Sequence, residues 1–327
     1  MSALMQSSLA PLVATLAWLG RQGTRAIAAL VFIGIAIPPL GAVLKPYVTE
    51  AVFVLLCISF MRVDVAAMRG YLSRPALVIV ATVWSAVVVP LLFGLGGVVS
   101  SFDKASPDLF LGLMLQAVAS PMMASPALVA LMGLDSTLVL ITLVTSTALV
   151  PLTAPLFAWL FFGSALTLSP VALGLKLLAM LTGAILVAAL IRRWVGAEAI
   201  VRHRQPIDGI NILVLLVFVS AVMGTVAASF WAEPGRVLLL TAFAFAVFAV
   251  LLGVTLLVFR KAGQERALAL GLMVSQRNMG LMLAATDGAL PGLTWLYFAL
   301  SQFPIYVSPQ LLKPLARRLQ ETSTAPP

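Results

Sequence analysis

Ten stretches of the chain are apolar for long enough to cross a bilayer, which takes about 20 residues in a helix. They lie near 26–44, 47–63, 76–98, 108–133, 136–162, 168–191, 207–228, 236–259, 264–286 and 290–315. Polar groups interrupt this pattern in few places. Ser120-Pro121 and Ser125-Pro126, with Gln116 before them, fall inside the fourth stretch, and Ser275-Gln276-Arg277-Asn278 falls inside the ninth. About 20 residues beyond each interruption comes a polar pair followed by proline: Ser146-Thr147 before Pro151, and Ser301-Gln302 before Pro304. The pattern predicts an all-α membrane protein of ten transmembrane helices, with the fourth and ninth broken at membrane depth. Met1 to Gly20 is moderately apolar, lacks the basic start of a signal peptide and contains Pro11. It reads as an interfacial or poorly packed helix, with a first span as the alternative.

The connecting segments give the orientation. One set holds Arg21, Arg25, Arg62, Arg69, Arg74, Arg192, Arg193, Arg202, Arg204, Arg260, Lys261, Arg266, Lys313, Arg317 and Arg318, and the other only Lys45, Lys104 and Arg236. The positive-inside rule makes the first set cytoplasmic and places both termini there, which requires an even number of spans. Gly163 to Thr167, between the fifth and sixth spans, carries no charge. It divides the chain into an N-terminal segment (1–24), a first five-helix repeat (25–162), a second repeat (163–315) and a cytoplasmic tail (316–327). An odd number of spans per half makes the second repeat inverted, a common transporter arrangement. The matched positions of the interruptions support the repeat.

Composition narrows the class. With 62% hydrophobic and 9% charged residues, the chain could not cover its apolar surface as a soluble domain. The net charge of +9 lies in short connections, so it marks topology in a lipid bilayer and not a nucleic-acid stripe. The pattern is that of a multi-pass protein of a bacterial-type inner membrane. Cys57 is the sole cysteine and His203 the sole histidine, so no disulfide, Cys-based metal site or His cluster is expected, and no cofactor. Cys57 reads as a packing residue and His203 as an exposed loop residue. No Ser-His, Asp-Asp or metal-ligand set occurs inside the spans, which ranks an enzyme last.

The interruptions carry the chemistry. Two prolines five residues apart break a helix, and unpaired backbone groups at that depth survive only inside protein or beside a cavity. An arginine at the centre of a span costs roughly 3 kcal/mol or more, so it faces a partner or a substrate. Its planar fork suits a carboxylate, sulfonate or phosphate. The carboxylates Glu50, Asp135 and Asp287 sit near span ends, and Asp287 lies about 15 Å from Arg277 along a continuous helix. An anionic substrate is therefore favoured over an internal partner. The candidate substrate-binding residues are Arg277, Asn278, Ser275, Gln276, Ser125, Ser120 and Gln116. Thr142 and Ser146 share a helical face with Thr145 and either line a cavity or make ordinary helix contacts. Lys176, the other basic residue inside a span, is read as snorkelling to the interface.

At these residues the chain resembles the bile acid:sodium symporter family. Ser275 to Leu281 looks like that family's ninth-span Gln-Asn-Ser-Gly-Leu crossover, and Ser120 to Pro126 with Ser146 to Pro151 resembles its fourth and fifth spans. The resemblance covers most of 25–315. It implies a panel domain from the first, second, sixth and seventh spans, and a core domain whose two broken helices cross at the midplane. It also implies a secondary transporter working by alternating access. Members that couple to sodium carry ligands at positions that here read Met273, Arg277, Pro126, Val139 and Leu143; only Ser125 and Asn278 keep their types. The expectation is a transporter of a small organic anion without the two-sodium mechanism, with sodium as a partner left open. The alternatives are a sodium-dependent bile acid or organic anion symporter, and an anion channel.

Overall fold

The computed structural model describes residues 3–63, 75–162, 166 and 168–324, with side chains from 11 onward except at 24, 25, 27, 28 and 320–324. Arg69, Arg74 and most of the Gly163–Thr167 link lie outside the described residues. The helices of seven or more residues in chain order are α1 (Ala3–Gln22), α2 (Thr24–Ala36), α3 (Pro38–Leu44), α4 (Val48–Met61), α5 (Pro75–Val99), α6 (Pro107–Val118), α7 (Ser125–Leu131), α8 (Ser136–Phe162), α9 (Pro170–Val195), α10 (Arg204–Ala232), α11 (Pro234–Phe259), α12 (Gln264–Ser275), α13 (Met279–Ala285), α14 (Gly292–Leu300) and α15 (Gln302–Thr324).

Helical segments occupy every one of the ten apolar stretches. Among the described residues, six helices are long and apolar enough to cross a membrane: Pro38–Met61, Pro75–Val99, Ser136–Phe162, Pro170–Val195, Arg204–Ala232 and Pro234–Ala262. The remaining stretches are divided between helices, and the divisions have local causes. Ile37, forced out of helical conformation before Pro38-Pro39 (ψ 69°), separates α2 from α3. Ser301 separates α14 from α15, three residues before Pro304. By contrast α8 runs unbroken through Pro151 and Pro155, so the first polar-then-proline element, Ser146-Thr147 before Pro151, does not interrupt its helix. α15 continues through Thr324, so most of the segment read as a tail is helical.

The chain forms two compact units, residues 1–63 with 180–232, and residues 64–179 with 233–327. α9 belongs to the second up to Ala179 and to the first from Met180. In the first unit α1, α2, α3 and α4 all pack on α10. Small residues make that possible. A Cβ on Gly209 would lie 2.1 Å from the Leu16 carbonyl oxygen, and one on Gly20 2.1 Å from that of Gln205. The N-terminal segment, expected to be interfacial or loosely packed, thus has its backbone in close contact with α10. Farther along, a Cβ on Gly41 would lie 2.6 Å from the Gly224 Cα. At one end Arg62 pairs with Asp208 at 2.7 Å, and Arg192 donates to the Met61 and Val63 carbonyls. Cys57 is buried, as its apolar context suggests.

In the second unit α11 packs along α12, α8 on α5, α7 and α12, and α6 on α14. α5 contains a π turn at Trp84–Val88. Trp84 donates Nε1–H to Thr255 of α11 at 3.1 Å and meets Phe259 edge-on. Among the described residues no strand is present. There is one isolated antiparallel bridge, between Pro121 and Arg277, and it marks the site.

Candidate functional site

The two interruptions foreseen in the fourth and ninth stretches meet each other. α6 ends at Val118 and Ala119 turns extended (φ −61°, ψ 146°), while α7 starts at Ser125 with Pro126 in its first turn. α12 ends at Ser275, Gln276 is extended (φ −96°, ψ 95°), and α13 starts at Met279. The extended peptides then cross. Met122 donates its N–H to the Gln276 carbonyl at 2.8 Å, and Asn278 donates to the Ser120 carbonyl at 2.7 Å. Pro121 has no N–H to offer, so the pairing falls on its neighbours. Each unwound segment supplies backbone groups that the other lacks, which is how non-helical backbone is satisfied away from water.

Side chains tie the crossing to its surroundings. The Asn278 side chain caps α13 by accepting the Leu281 N–H at 3.3 Å. Gln276 accepts from Ser125 Oγ at 3.3 Å, and its amide nitrogen donates to the Ile305 carbonyl and Ser308 Oγ, both at 3.2 Å. One amide thus joins α7, α12 and α15. Gln276, Ser125 and Ser120 are buried, and Asn278 is partly accessible.

Arg277 is 2% exposed and has no carboxylate in ion-pair contact among the described residues. Its Nη1 donates to the Ala119 carbonyl at 3.0 Å, and to the carbonyl and hydroxyl of Ser85 at 3.1 and 3.2 Å. Both carbonyls are at places where a helix departs from α geometry. Ala119 caps the C-terminal, negative end of α6, and Ser85 lies in the π turn of α5. The other edge of the guanidinium, Nε and Nη2, is buried with no partner. The group is therefore anchored by internal oxygens on one side and unpartnered on the other.

The other candidates divide. Ser120, Thr142 and Ser146 are buried with unpartnered hydroxyls. Thr145 bonds Thr82 Oγ1 at 2.6 Å, which places this face of α8 against α5. Gln116 accepts from the Tyr297 hydroxyl, so it links α6 to α14. Ser275 directs its hydroxyl back to the Gly271 and Leu272 carbonyls of its own helix. Lys176 pairs with the exposed Asp287, which follows α13 in a left-handed conformation (φ 52°). Asp135 caps α8 and pairs with Arg266 at 3.5 Å. His203 is exposed, its Nδ1 near the Ala199 carbonyl. Sequence reasoning missed Ser85, Thr82, Ser308 and Tyr297. Thr82 and Ser85, two hydroxyls three apart in an otherwise apolar stretch, were the available signal.

The model of the Sodium Bile acid symporter family matches residues 49–233, more than half of the chain. No curated protein matches it.

Proposed function

The chain belongs to the Sodium Bile acid symporter family, and from that premise we propose that it is a secondary transporter of a small organic anion that works without the family's two-sodium coupling. The coarser part follows from membership: it is a multi-pass membrane transporter of the bile acid symporter type, in a family of transporters of organic anions and sodium and not of enzymes. The finer reading is of ten spans in two inverted five-helix repeats in a bacterial-type inner membrane, with both termini cytoplasmic and alternating access as the mode of transport.

The observation that carries the reading is the position of the Arg277 guanidinium on the carbonyl oxygens of Ser85 and Ala119. Unwound carbonyls and half-helix C-termini are the groups with which transporters coordinate a small cation. Here a positive charge is attached to the chain and already occupies such oxygens. A second cation 4 Å away would be repelled by about 4 kcal/mol at an effective dielectric of 20. The same charge attracts an anion, with its free fork suited to an oxyanion. Arg277 is the proposed anchor. Asn278, Gln276, Ser125, Ser120, Gln116, Thr142 and Ser146 shape its surroundings, and Ser275 holds the end of α12.

The test is uptake of labelled small carboxylates and sulfonates into proteoliposomes. At least one should enter saturably, and Arg277→Gln should reduce its uptake roughly tenfold or more, the loss of one charge-assisted contact. No saturable uptake of any of them, or unchanged uptake in a folded variant, would remove the reading.

A further inference from the structure

One end of the first unit gathers its arginines. Arg62 pairs with Asp208 at 2.7 Å, Arg192 donates to the Met61 and Val63 carbonyls, and Arg21 donates to the Gln205 side chain at 3.3 Å. Met61, Ala188 and Ile200 form one buried cluster, with Ile191 and Ile207 packed against it. These contacts hold together the ends of α1, α4 and α9, a short helix at Ala197–Arg202 and the start of α10. Arg193, Arg202 and Arg204 stand there too, and the carboxylates beside these six arginines are Asp208 and Glu198. At the opposite end of the unit the described charges are Lys45 and Glu50, one of each sign.

Half of the arginines are used by the fold and half face outward. Asp208, already held by Arg62, lies 3.9 Å from Arg204, whose side chain is 76% exposed. Arg193 and Arg202 are exposed and pair with no carboxylate among the described residues. The outward charge is therefore barely balanced by the protein itself.

Large apolar side chains are exposed beside these charges. Trp194 follows Arg193 and is 76% exposed, and Val201 precedes Arg202 and is 74% exposed. Ile200, buried in the cluster, fixes the short helix with Val201 outward. A second exposed tryptophan, Trp18, lies one turn before Arg21. The close contacts of α1 with α10 set its depth: Leu16 meets Gly209 and Gly20 meets Gln205, so Trp18 is level with Ile207. Ile207 and Ile191 border the same cluster, and Trp194 lies one turn beyond Ile191. The two tryptophans thus stand within about one turn, roughly 5 Å, of a common depth. Tryptophan favours the boundary between acyl chains and head groups, and arginine beside it reaches the phosphate layer. A soluble anion would meet the guanidiniums and leave the apolar groups bare; a lipid covers both.

We propose that this end of the first unit is a binding surface for anionic phospholipid. Arg193, Arg202 and Arg204 take the head-group oxygens, and Trp18, Trp194 and Val201 lie against the upper acyl chains. The proposal needs the chain to lie in a membrane, as its family does. It needs neither solute transport nor a particular number of spans.

The experiment uses the full chain, delipidated in a neutral detergent and titrated with phosphatidylglycerol or phosphatidylcholine, with bound lipid counted by native mass spectrometry. Phosphatidylglycerol should bind roughly tenfold or more tightly than phosphatidylcholine. The double variant Arg193→Gln, Arg202→Gln should weaken phosphatidylglycerol roughly tenfold or more, at about fivefold per arginine near an anionic surface, and leave phosphatidylcholine unchanged. Lys45→Gln, at the opposite end, should change neither. If the double variant does not fold, the two single variants carry the test at about fivefold each. Soluble glycerophosphoglycerol should not displace the lipid at equal concentration. Equal affinity for the two lipids in the parent protein, or unchanged phosphatidylglycerol affinity in the variants, overturns the proposal. So does displacement by the soluble head group, which would mark a free-anion site. Lipid binding is read without any solute, so this proposal and the transport reading fail separately.

Discussion

Two neighbouring residues at the crossing, Ser275 and Gln276, look alike in sequence and differ in what they hold. Gln276 joins Ser125, Ile305 and Ser308 across three helices while fully buried. Replacing it by leucine leaves those partners with unmet hydrogen-bonding capacity, at a cost of about 1–3 kcal/mol. Ser275 bonds only carbonyls of its own helix that already accept helical hydrogen bonds, so alanine there should change stability by about 0.5 kcal/mol or less. Denaturation of the two variants beside the parent protein checks the contrast. Equal losses would mean that Gln276 does not link the helices as described. Sequence could nominate both residues because polar groups inside an apolar stretch are conspicuous. It could not separate them, because the separation depends on residues 29 to 151 positions away. The same limit explains Arg277. Its lack of a carboxylate partner was legible from the placement of Glu50, Asp135 and Asp287, but its anchorage on main-chain oxygens was not, since every residue has a carbonyl and only folding selects Ser85 and Ala119.

At the scale of elements, the broken helices were the most legible feature. Pro121 and Pro126 fall at the first break, although α8 continues through Pro151 and Pro155 and α15 through Pro309 and Pro314, so proline marks the break here together with the polar residues around it, as the polar run 275–278 marks the second. Their pairing through Met122, Gln276, Ser120 and Asn278 required the fold. The N-terminal helix shows the opposite case. Composition left α1 without a predicted partner because the features that dock it, Gly20 and Gly209, contribute by having no side chain. A methyl group at Gly209 would sit 2.1 Å from the Leu16 carbonyl oxygen, so the backbones of α1 and α10 must separate. Gly209→Ala should destabilise the first unit by about 1–3 kcal/mol, the usual cost of overpacking. Protease cleavage within residues 11–22 should accelerate in the same variant. An unchanged cleavage rate and melting temperature would show that α1 is not held against α10 in this way. Lys176 shows a related limit: its pairing with the exposed Asp287 brings together positions 111 residues apart.

For the molecule as a whole, the split of basic residues between the two sets of connections gives a topology that can be measured. On a Cys57→Ala background, cysteines placed at Arg202 and Arg266 should be labelled only from the cytoplasmic side, and one at Lys104 only from the outside. Labelling of position 202 or 266 from the outside would contradict ten spans with cytoplasmic termini. Hydropathy located all ten apolar stretches, yet among the described residues only six helices are long and apolar enough to cross a membrane. Interruptions divide the fourth and ninth stretches into short helices, whereas α15 in the tenth is long enough but runs on into the polar sequence after Lys313.

The account depends most on the claim that Arg277 supplies permanently the positive charge that sodium brings in coupled relatives. Initial uptake rates of a transported organic anion into proteoliposomes, with sodium or choline outside and the membrane potential clamped, test it directly. The account predicts equal rates in the two salts and no saturation with sodium from zero upward. A rate that requires an inward sodium gradient and saturates as sodium rises would contradict it.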